Sequence, residues 1–389
     1  MAIAAQVNLV RGNGGWHVPS QSGAGSYVVD PELGECTCPD HETRQVECKH
    51  LLAVRMTIRR ERGKDGSVKF TREVEVKYTQ EWTAYNRAQV EEKDTFLQLL
   101  SELCEHAPQP PRAATGRPAV PMSTRAFATT YKVYSRFSSR RFSSDLREAS
   151  RRGLVPQVSH FNSISHYMRD PQLTPALQHL ITLSALPLRA VEQDFAVDST
   201  GFSTSRFIRW YDKKYGGEVD KREWVKLHAM TGVRTNVVTS CEVTGWTAAD
   251  SPYFRPLLAA TAENFQIEQV SADKAYLSRA NLAAVEKFGA QPFVPFKVNS
   301  LPGKGDGAWE RMYHRFMYER ETFLASYHKR SNVETTFSMI KAKFGDSLLS
   351  KDDTSQMNEA LCKVLCHNLC CLISAIHELG IAPEFGLTA

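Results

Sequence analysis

Apolar and polar residues follow three different patterns along the chain. Residues 1–78 carry short alternating runs, such as Trp16–Val18 and Tyr27–Val29, and then one helical segment, which predicts a small ββα-type module. Residues 79–192 show helical periodicity, and a proline-rich stretch at 108–121 interrupts it and predicts a linker. From Phe195 onward, short apolar runs rich in β-branched residues predict strands.

The last part of the chain predicts a mixed α/β domain. Expected strands are Phe195–Val197, Val225–Met230, Asn236–Val243, Ile267–Val270 and Pro292–Phe296, and expected helices are Arg279–Phe288, Tyr327–Phe344 and Glu359–Leu379. Such an order is typical of a mixed sheet with helices on its faces. We therefore expect four regions, namely a module at 1–78, a helix and linker at 79–121, a helical region at 122–192 and an α/β domain at 193–389.

Composition and charge narrow the class of protein. Of 389 residues, 42% are hydrophobic and 23% charged, which excludes a fibrous or wholly disordered chain. The sequence shows neither a secretory signal nor an uninterrupted membrane span, so a cytoplasmic location is expected. Residues 122–189 hold ten Lys or Arg against three acidic residues, a net charge of +7. This excess predicts a phosphate-backbone partner, and a solvated basic face is the alternative.

A cluster of cysteines and one histidine near the N-terminus predicts a metal site. Cys36, Cys38, Cys48 and His50 follow the spacing C-x-C-x9-C-x-H. In an extended segment, residues two apart point to the same side, so each pair presents two ligands to one point. Three thiolates and an imidazole form a closed, structural zinc site, and unliganded core thiols are the alternative. His41 is a poorer fourth ligand because it breaks the paired spacing.

The same cluster resembles the SWIM zinc-binding domain. The likeness includes Pro39-Asp40 after the first cysteine pair and Leu51–Val54 after the histidine. The resemblance implies one structural Zn²⁺ and a role in binding either DNA or protein, and the sequence does not choose between those partners.

Three acidic residues form a second candidate site. Asp198 and Asp273 each follow an apolar run predicted as a strand, and Glu334 lies on a later predicted helix. That helix also carries Tyr327, Arg330 and Lys341, and offsets of 3, 4 and 7 place all four residues on one face. Carboxylates brought together in this way are typical ligands of Mg²⁺.

These residues resemble the DDE transposases of bacterial insertion sequences that carry a Tyr-Arg-Glu-Lys helix. The likeness extends over residues 125–379 and includes Ser138–Arg141, Asp198–Phe202 and Asp273–Tyr276. It implies a ribonuclease-H-like fold, in which a helical DNA-binding region precedes the catalytic domain. The interval of 61 positions from Asp273 to Glu334 leaves room for only a short inserted segment.

The resemblance also implies roles for individual residues. Asp198, Asp273 and Glu334 would hold two Mg²⁺ or Mn²⁺ ions for strand cleavage and strand transfer. DNA contacts are implied for Tyr327, Arg330 and Lys341, and further contacts are expected from Arg140, Arg141, Lys274 and Trp309. Simple surface exposure is the alternative for Lys274, and core packing is the alternative for Trp309. The expected partners are double-stranded DNA at the element ends and at the target, with a homodimer in the DNA complex and a nucleoid-associated location.

Two rival functions and two minor features stay open at this point. A nuclease of the same fold would hydrolyse DNA without joining strands, and a transposase-derived protein would bind DNA without strand transfer. Cys362, Cys366 and Cys370 are spaced as a buried helix stripe rather than as a second metal site. Ser199 and His228 lack the surrounding pattern of an acyl-transfer enzyme.

Overall fold

The structure, a computed structural model, describes residues 10–12, 15–20, 25–31, 33–44, 48–62, 68–72, 81–111, 119–204 and 224–385. The chain divides into two compact units, residues 1–80 and 81–389. Part of the predicted proline-rich linker, residues 112–118, lies outside the described residues.

The first unit is a small β-rich module with short helices. Its elements are β1 (Val10–Gly12), β2 (Gly15–Pro19), β3 (Ser26–Asp30), β4 (Glu35–Cys36), α1 (Pro39–Arg44), α2 (Lys49–Thr57), β5 (Ile58–Arg62) and β6 (Val68–Arg72). Strands β1–β4 form an antiparallel sheet in chain order, and β5 pairs with β6. The predicted runs Trp16–Val18 and Tyr27–Val29 fall inside β2 and β3. Fully buried Val18, Val29 and Leu51 pack against the three cysteines.

The second unit begins with a series of helices. They are α3 (Trp82–Val90), α4 (Glu92–Glu105), α5 (Met122–Ser135), α6 (Ser139–Arg151), α7 (Phe161–Met168) and α8 (Leu173–Ala185). The apolar stripe of α4, from Phe96 to Leu103, is buried as its helical spacing predicts. Helix α6 is strongly amphipathic and buries only Phe142, Leu146 and Ala149, so its basic residues lie on the outer face.

A five-stranded mixed sheet follows. Its strands are β7 (Asp194–Ser203), β8 (Trp224–Gly232), β9 (Val238–Gly245), β10 (Gln269–Ala272) and β11 (Gln291–Phe293). The spatial order is β11-β10-β7-β8-β9, in which β7, β8 and β9 are antiparallel and β10 and β11 run parallel to β7. In the register of β10 against β7, Ala272 pairs with Val197. The residue that follows each partner, Asp273 and Asp198, therefore lies at the same level of the sheet.

Six further helices surround this sheet within the described residues. They are α9 (Ser251–Ala262), α10 (Arg279–Lys287), α11 (Ala308–Tyr318), α12 (Arg320–Tyr327), α13 (Ser331–Phe344) and α14 (Asp353–Leu379). The expected helix from Tyr327 to Phe344 is wrong at its start, because α12 ends at Tyr327 and a 3-10 turn at His328–Arg330 separates it from α13. Helix α14 begins six residues earlier than expected, where Asp352 caps it by accepting a hydrogen bond from the Ser355 amide.

Helix α14 is the central element of the second unit. In the described part of the chain it is the one helix that is long and apolar enough to cross a membrane. However, 78% of its most apolar stretch of 18 residues is buried inside the protein. It packs against six other helices and two strands of the sheet, β8 and β9. Cys362 and Cys366 are fully buried on it, as the stripe spacing predicts. Burial accounts for its apolar composition.

Candidate active site and metal centre

Two aspartates lie side by side on neighbouring parallel strands, one inside its strand and one just after the end of its strand. Asp198 lies within β7 in the middle of the sheet, and its own side chain accepts a hydrogen bond from the Ser199 amide at 2.8 Å. Asp273 follows β10 and caps a 3-10 turn, since its Oδ1 accepts a hydrogen bond from the Lys274 amide at 2.5 Å. The parallel pairing of β10 with β7 places the two residues side by side.

Arg330 joins the third carboxylate to the first. Its guanidinium donates one hydrogen bond to Asp198 Oδ2 at 2.7 Å and another to Glu334 Oε1 at 2.6 Å. Glu334 lies in the first turn of α13, four residues after Arg330. Only about a fifth of the Arg330 and Asp198 side chains is exposed, so these bonds form in a partly desolvated setting.

The electrostatics of Asp198 reflect its burial and, to a smaller extent, the neighbouring carboxylates. Burial raises its pKa, and the charges of Asp273 and Glu334 raise it further, while the Ser199 amide and Arg330 act in the opposite direction. Burial opposes the charge on Arg330, yet its hydrogen bond to Glu334 and the neighbouring Asp198 raise its pKa overall. A cation at this place therefore stabilises the ionised carboxylates.

The Tyr-Arg-Glu-Lys residues are divided between three elements rather than borne by one helix. Tyr327 ends α12, Arg330 ends the 3-10 turn, and Glu334 and Lys341 lie on α13. A 3-10 turn has about 3.0 residues per turn, so it keeps successive turns roughly in line. Lys341 Nζ donates to Thr200 Oγ1 at 2.6 Å, and the Arg330 guanidinium lies 5.9 Å from the centre of the Tyr327 ring. Arg330 and Lys341 thus contact residues of β7, and Tyr327 and Glu334 contact Arg330.

Trp309 is held by contacts within the protein. Its Nε1 donates to the Leu301 carbonyl at 3.0 Å, and its ring meets Phe296 edge-on with centroids 4.9 Å apart. The Arg279 guanidinium lies over the ring at 4.7 Å. These contacts favour the packing interpretation of Trp309.

The remaining basic candidates lie at the surface. Lys274 is exposed immediately after Asp273. Arg140 and Arg141 are exposed near the start of α6, where the Arg140 guanidinium lies 5.4 Å from the centre of the Phe161 ring. All three side chains are accessible to a ligand in solution.

A buried polar network behind Asp198 was not predicted as part of the site. Lys226 Nζ forms an ion pair with Asp250 at 2.7 Å, and His228 Nδ1 lies 3.4 Å from the same carboxylate oxygen. The Ser199 hydroxyl, next to Asp198, also hydrogen-bonds Asp250. Burial lowers the pKa of His228 to about 4, so this histidine is neutral near pH 7. Sequence alone offers no signal for the network, because its members come from separate strands and loops.

The cysteine and histidine residues of the first unit form a compact, buried cluster. Ligand atoms of Cys36, Cys38, Cys48 and His50 all lie within 4.8 Å of one another, and each residue is at most 4% exposed. His50 Nδ1 is 3.9 Å from the sulfur of Cys36 and from that of Cys48. Ligands of a tetrahedral zinc ion, with bonds of about 2.0–2.3 Å, are separated by roughly 3.6–3.8 Å. The cluster therefore has the dimensions of a metal site.

Protonation within the cluster follows from burial and local hydrogen bonds. Burial raises the pKa of the Cys36 thiol, and the adjacent Cys48 adds to that effect. Burial also tends to raise the pKa of Cys48, but hydrogen bonds, among them those from the Leu51 and His50 amides, outweigh it, so the pKa of Cys48 is lowered. Burial lowers the pKa of His50, which keeps its imidazole neutral and able to act as a ligand.

The two candidate sites differ in how completely they are assembled. Among the described residues, the cysteine–histidine cluster is the one group of three or more potential metal ligands that meets at a single point. Asp198, Asp273 and Glu334 are neighbours, but their oxygen atoms do not form such a group, and Arg330 lies between two of them.

Comparison with known families relates part of the second unit to transposases. Residues 189–369 match the model of the family described as Transposase DDE domain. The matched span runs from just before β7 into α14, is a little under half of the chain, and contains Asp198, Asp273 and Glu334. This match supports a transposase, whose class of activity is the cutting and joining of DNA.

Proposed function

We propose that this protein is a DNA transposase that binds the ends of an insertion sequence and catalyses Mg²⁺-dependent cleavage and strand transfer. The observation that carries the proposal is the convergence of Asp198, Asp273 and Glu334 inside the span that matches the transposase domain. The partners are double-stranded DNA at the element ends and at the target, and two copies of the chain act together on the DNA.

The order of the sheet supports a ribonuclease-H-like arrangement. Three antiparallel strands in chain order are followed by two strands that return parallel to the first, β7. This order places the first and fourth strands, which carry the two aspartates, side by side at the centre of the sheet. A ligand can therefore be held where the carboxyl end of β10 meets the middle of β7.

The donor set of this site fits a hard divalent cation. Three carboxylates offer only oxygen atoms, which Mg²⁺ and Mn²⁺ prefer. Burial raises the pKa of Asp198, and the charges of Asp273 and Glu334 raise it further, so a cation would stabilise its ionised form. Asp198, Asp273 and Glu334 are the residues that would hold two such ions. When bound, the ions would supply a reactive hydroxyl nucleophile and stabilise the leaving oxygen.

The basic residues of the site are placed to bind DNA phosphates. Arg330 donates to Asp198 and Glu334 in the free protein, and its planar guanidinium would hold a phosphate near the cleaved bond if cations replaced it at those carboxylates. Lys341 binds the neighbouring phosphate from the next turns of α13, and Tyr327 positions the strand. Arg140, Arg141 and Lys274 extend the contact along the backbone.

The first unit fits a structural zinc site. Cys36, Cys38, Cys48 and His50 supply three sulfurs and one nitrogen, which is the donor set of closed tetrahedral zinc sites. We assign this unit as a SWIM-like module that binds DNA or a protein partner. Its zinc holds the fold of the unit and takes no part in the chemistry.

A strand-transfer assay tests the proposed function against both rivals. Duplexes carrying the DNA that flanks the reading frame are incubated with the protein, Mg²⁺ and a supercoiled plasmid. Joined products support a transposase, whereas cleavage without joining would indicate a nuclease, and binding without cleavage would indicate a DNA-binding protein. Asp198→Asn serves as the matched control, because it removes a charge without changing the size of the side chain.

A further inference from the structure

A basic cleft lies beside the C-terminal end of α13. Its volume is about 230 Å³, and its walls come from the ends of α5 and α7, the start of α6, the loop at residues 345–352 and the first half of α14. Five cationic side chains line it against two acidic ones: Lys132, Arg136, Arg169, Lys351 and Lys363 against Asp352 and Glu359.

Both acidic residues already accept hydrogen bonds from groups within the protein. Asp352 accepts a hydrogen bond from Arg169 at 3.1 Å and caps α14 through Ser355. Glu359 accepts hydrogen bonds from the amides of Leu349 and Ser350 at 2.8–3.0 Å. Asp352 and Glu359 therefore already stabilise the loop at residues 345–352 and the start of α14.

Two of the cations, in contrast, have no acceptor for their side chains. The ammonium groups of Lys132 and Lys351 make no hydrogen bond or ion pair with any residue in the part of the chain that the structure describes. Lys132 is partly buried, and this burial lowers its pKa, with only the charge of Glu359 acting against it. A partly desolvated ammonium without an acceptor is favourable only where an anion can reach it.

The cleft is fixed relative to the carboxylate site. The Asp346 carbonyl accepts a hydrogen bond from the Ser203 amide, and the Leu348 amide donates to the Ser203 carbonyl, so the cleft loop is tied to the end of β7. Asp198 lies on the same strand. Helix α13 makes the second link, and from Glu334 to Phe344 it spans about 15 Å at roughly 1.5 Å per residue.

We propose that this cleft binds a backbone phosphate of the DNA substrate, and the proposal rests on the transposase function proposed above. Phosphates follow one another about 3.4 Å apart along the axis of a duplex strand, so 15 Å corresponds to about four or five base pairs from the cut. Lys341 lies between the two places on α13. The cleft thus sets the direction in which the duplex leaves the active site, and Lys132 and Lys351 are the residues that hold it.

A salt titration of DNA binding tests the proposal. The full chain and the double variant Lys132→Gln/Lys351→Gln are titrated with a fluorescent 30-base-pair duplex of arbitrary sequence between 50 and 200 mM NaCl. Phosphate contacts carry no sequence information, so an arbitrary duplex is sufficient. The double variant should bind about tenfold more weakly at 50 mM, and its log–log salt slope should be flatter by about 2, near 0.9 per lost contact. Lys287→Gln, which removes an exposed charge from α10, should change neither quantity.

A second variant covers the case in which loss of Lys132 disturbs folding. Ser165→Glu adds a carboxylate at an exposed position of the cleft rim without removing a buried group, and it should also weaken duplex binding about tenfold. Normal affinity and slope in both variants would overturn the proposal. The proposal would also be overturned if the variants lost binding of inorganic phosphate but still bound the duplex normally. In that case the cleft would be a site for a free anion and not for DNA.

Cleavage by the unchanged protein separates this proposal from the proposed function. If that protein cuts its end DNA while the cleft variants bind as well as it does, the cleft assignment fails and the transposase function stands. If the unchanged protein neither binds nor cuts the DNA, the transposase function itself fails.

Discussion

The cysteine–histidine cluster and the carboxylate site are both candidate metal centres, yet only the first is already assembled. Its four ligand residues are buried and meet at one point, within a segment of fifteen residues. The three carboxylates come from two strands and a helix, and Arg330 holds two of them together. The first region is a closed site, and the second is an open one.

The difference follows from charge and from distance along the chain. Neutral imidazole and thiol groups can approach one another before a metal binds, whereas three carboxylates repel each other until a cation neutralises them. Arg330 provides such a cation in the free protein. A closed site of soft ligands therefore stabilises a fold, and an open site of hard ligands leaves room for substrate.

Removal of zinc should give the largest effect and should affect only the first unit. Structural zinc contributes about 10–16 kcal/mol of apparent binding free energy in small domains, so Cys48→Ser should unfold residues 1–80 while the helices of the second unit remain. Elemental analysis, limited proteolysis and circular dichroism measure the three consequences. Cys104→Ser, at a buried cysteine of α4, should keep the zinc. Absence of zinc from the unchanged, chelator-washed protein would falsify the assignment.

Loss of a single carboxylate should abolish cleavage without unfolding either unit. Asp198→Asn, Asp273→Asn and Glu334→Gln should each lower the cleavage rate by at least about a thousandfold, because each would remove a ligand of the proposed metal ions. Rates on end duplexes with Mn²⁺ and Mg²⁺, together with gel-shift affinity, are the measurements. Glu286→Gln, at a carboxylate of α10 that is about a quarter exposed and pairs with Arg311, is the matched control. Substantial cleavage by any one of the three variants would disprove the two-metal assignment.

Acid should destabilise the second unit through His228. Its pKa is about 4 in the folded protein against 6.5 in the unfolded chain, so below pH 6.5 the unfolded chain takes up a proton that the folded protein does not. The free energy of unfolding should fall by about 3 kcal/mol between pH 7 and pH 4, and Asp250 and Lys226 are the charges that face this imidazole.

Urea unfolding at several pH values, followed by helical circular dichroism, measures this loss. His228→Gln should have a flatter pH dependence than the unchanged protein, whatever its stability at pH 7. An equally steep decline in the variant would assign the acid sensitivity to other groups, such as the buried His367.

The smallest effect should come from Arg330, the cation that takes the place of metal. Arg330→Gln should bind Mn²⁺ about fivefold more tightly in the absence of DNA, because the competing charge between Asp198 and Glu334 is gone. The same variant should cleave DNA more slowly. Calorimetric titration with Mn²⁺ measures the first effect, and Lys329→Gln, whose lysine pairs with Asp194 instead, controls for loss of charge. Weaker Mn²⁺ binding by Arg330→Gln would show that the arginine organises the site rather than competing for it.

Much of the local structure was predictable from sequence because it depends on neighbouring residues. Apolar runs located four of the five strands of the mixed sheet to within three residues at each end, and paired spacing found the four residues of the cysteine–histidine cluster. The strand predicted at Phe195–Val197 is too short, because β7 continues through the polar residues after Val197 to Ser203. Helix α9 was missed because it contains Pro252 and Pro256, which usually interrupt helices.

The features that sequence could not predict depend on contacts between distant residues. The bond from Arg330 to Asp198 joins positions 132 residues apart, and no periodicity encodes it. The break between α12 and α13 was missed because helical spacing is nearly preserved across a 3-10 turn. The zinc, the magnesium and the roles of individual DNA contacts stay predictions.

Helix α14 has a consequence for the order in which the second unit is built during synthesis. Its 27 residues leave the ribosome after α3–α13 and the mixed sheet, whose buried faces it covers. Because synthesis adds roughly 5–20 residues per second, those apolar faces stay exposed for on the order of seconds until α14 has been made. A nascent chain that stalls before residue 353 would therefore expose the side of β8 and β9 that α14 normally covers, and we expect such fragments to be bound by chaperones or degraded.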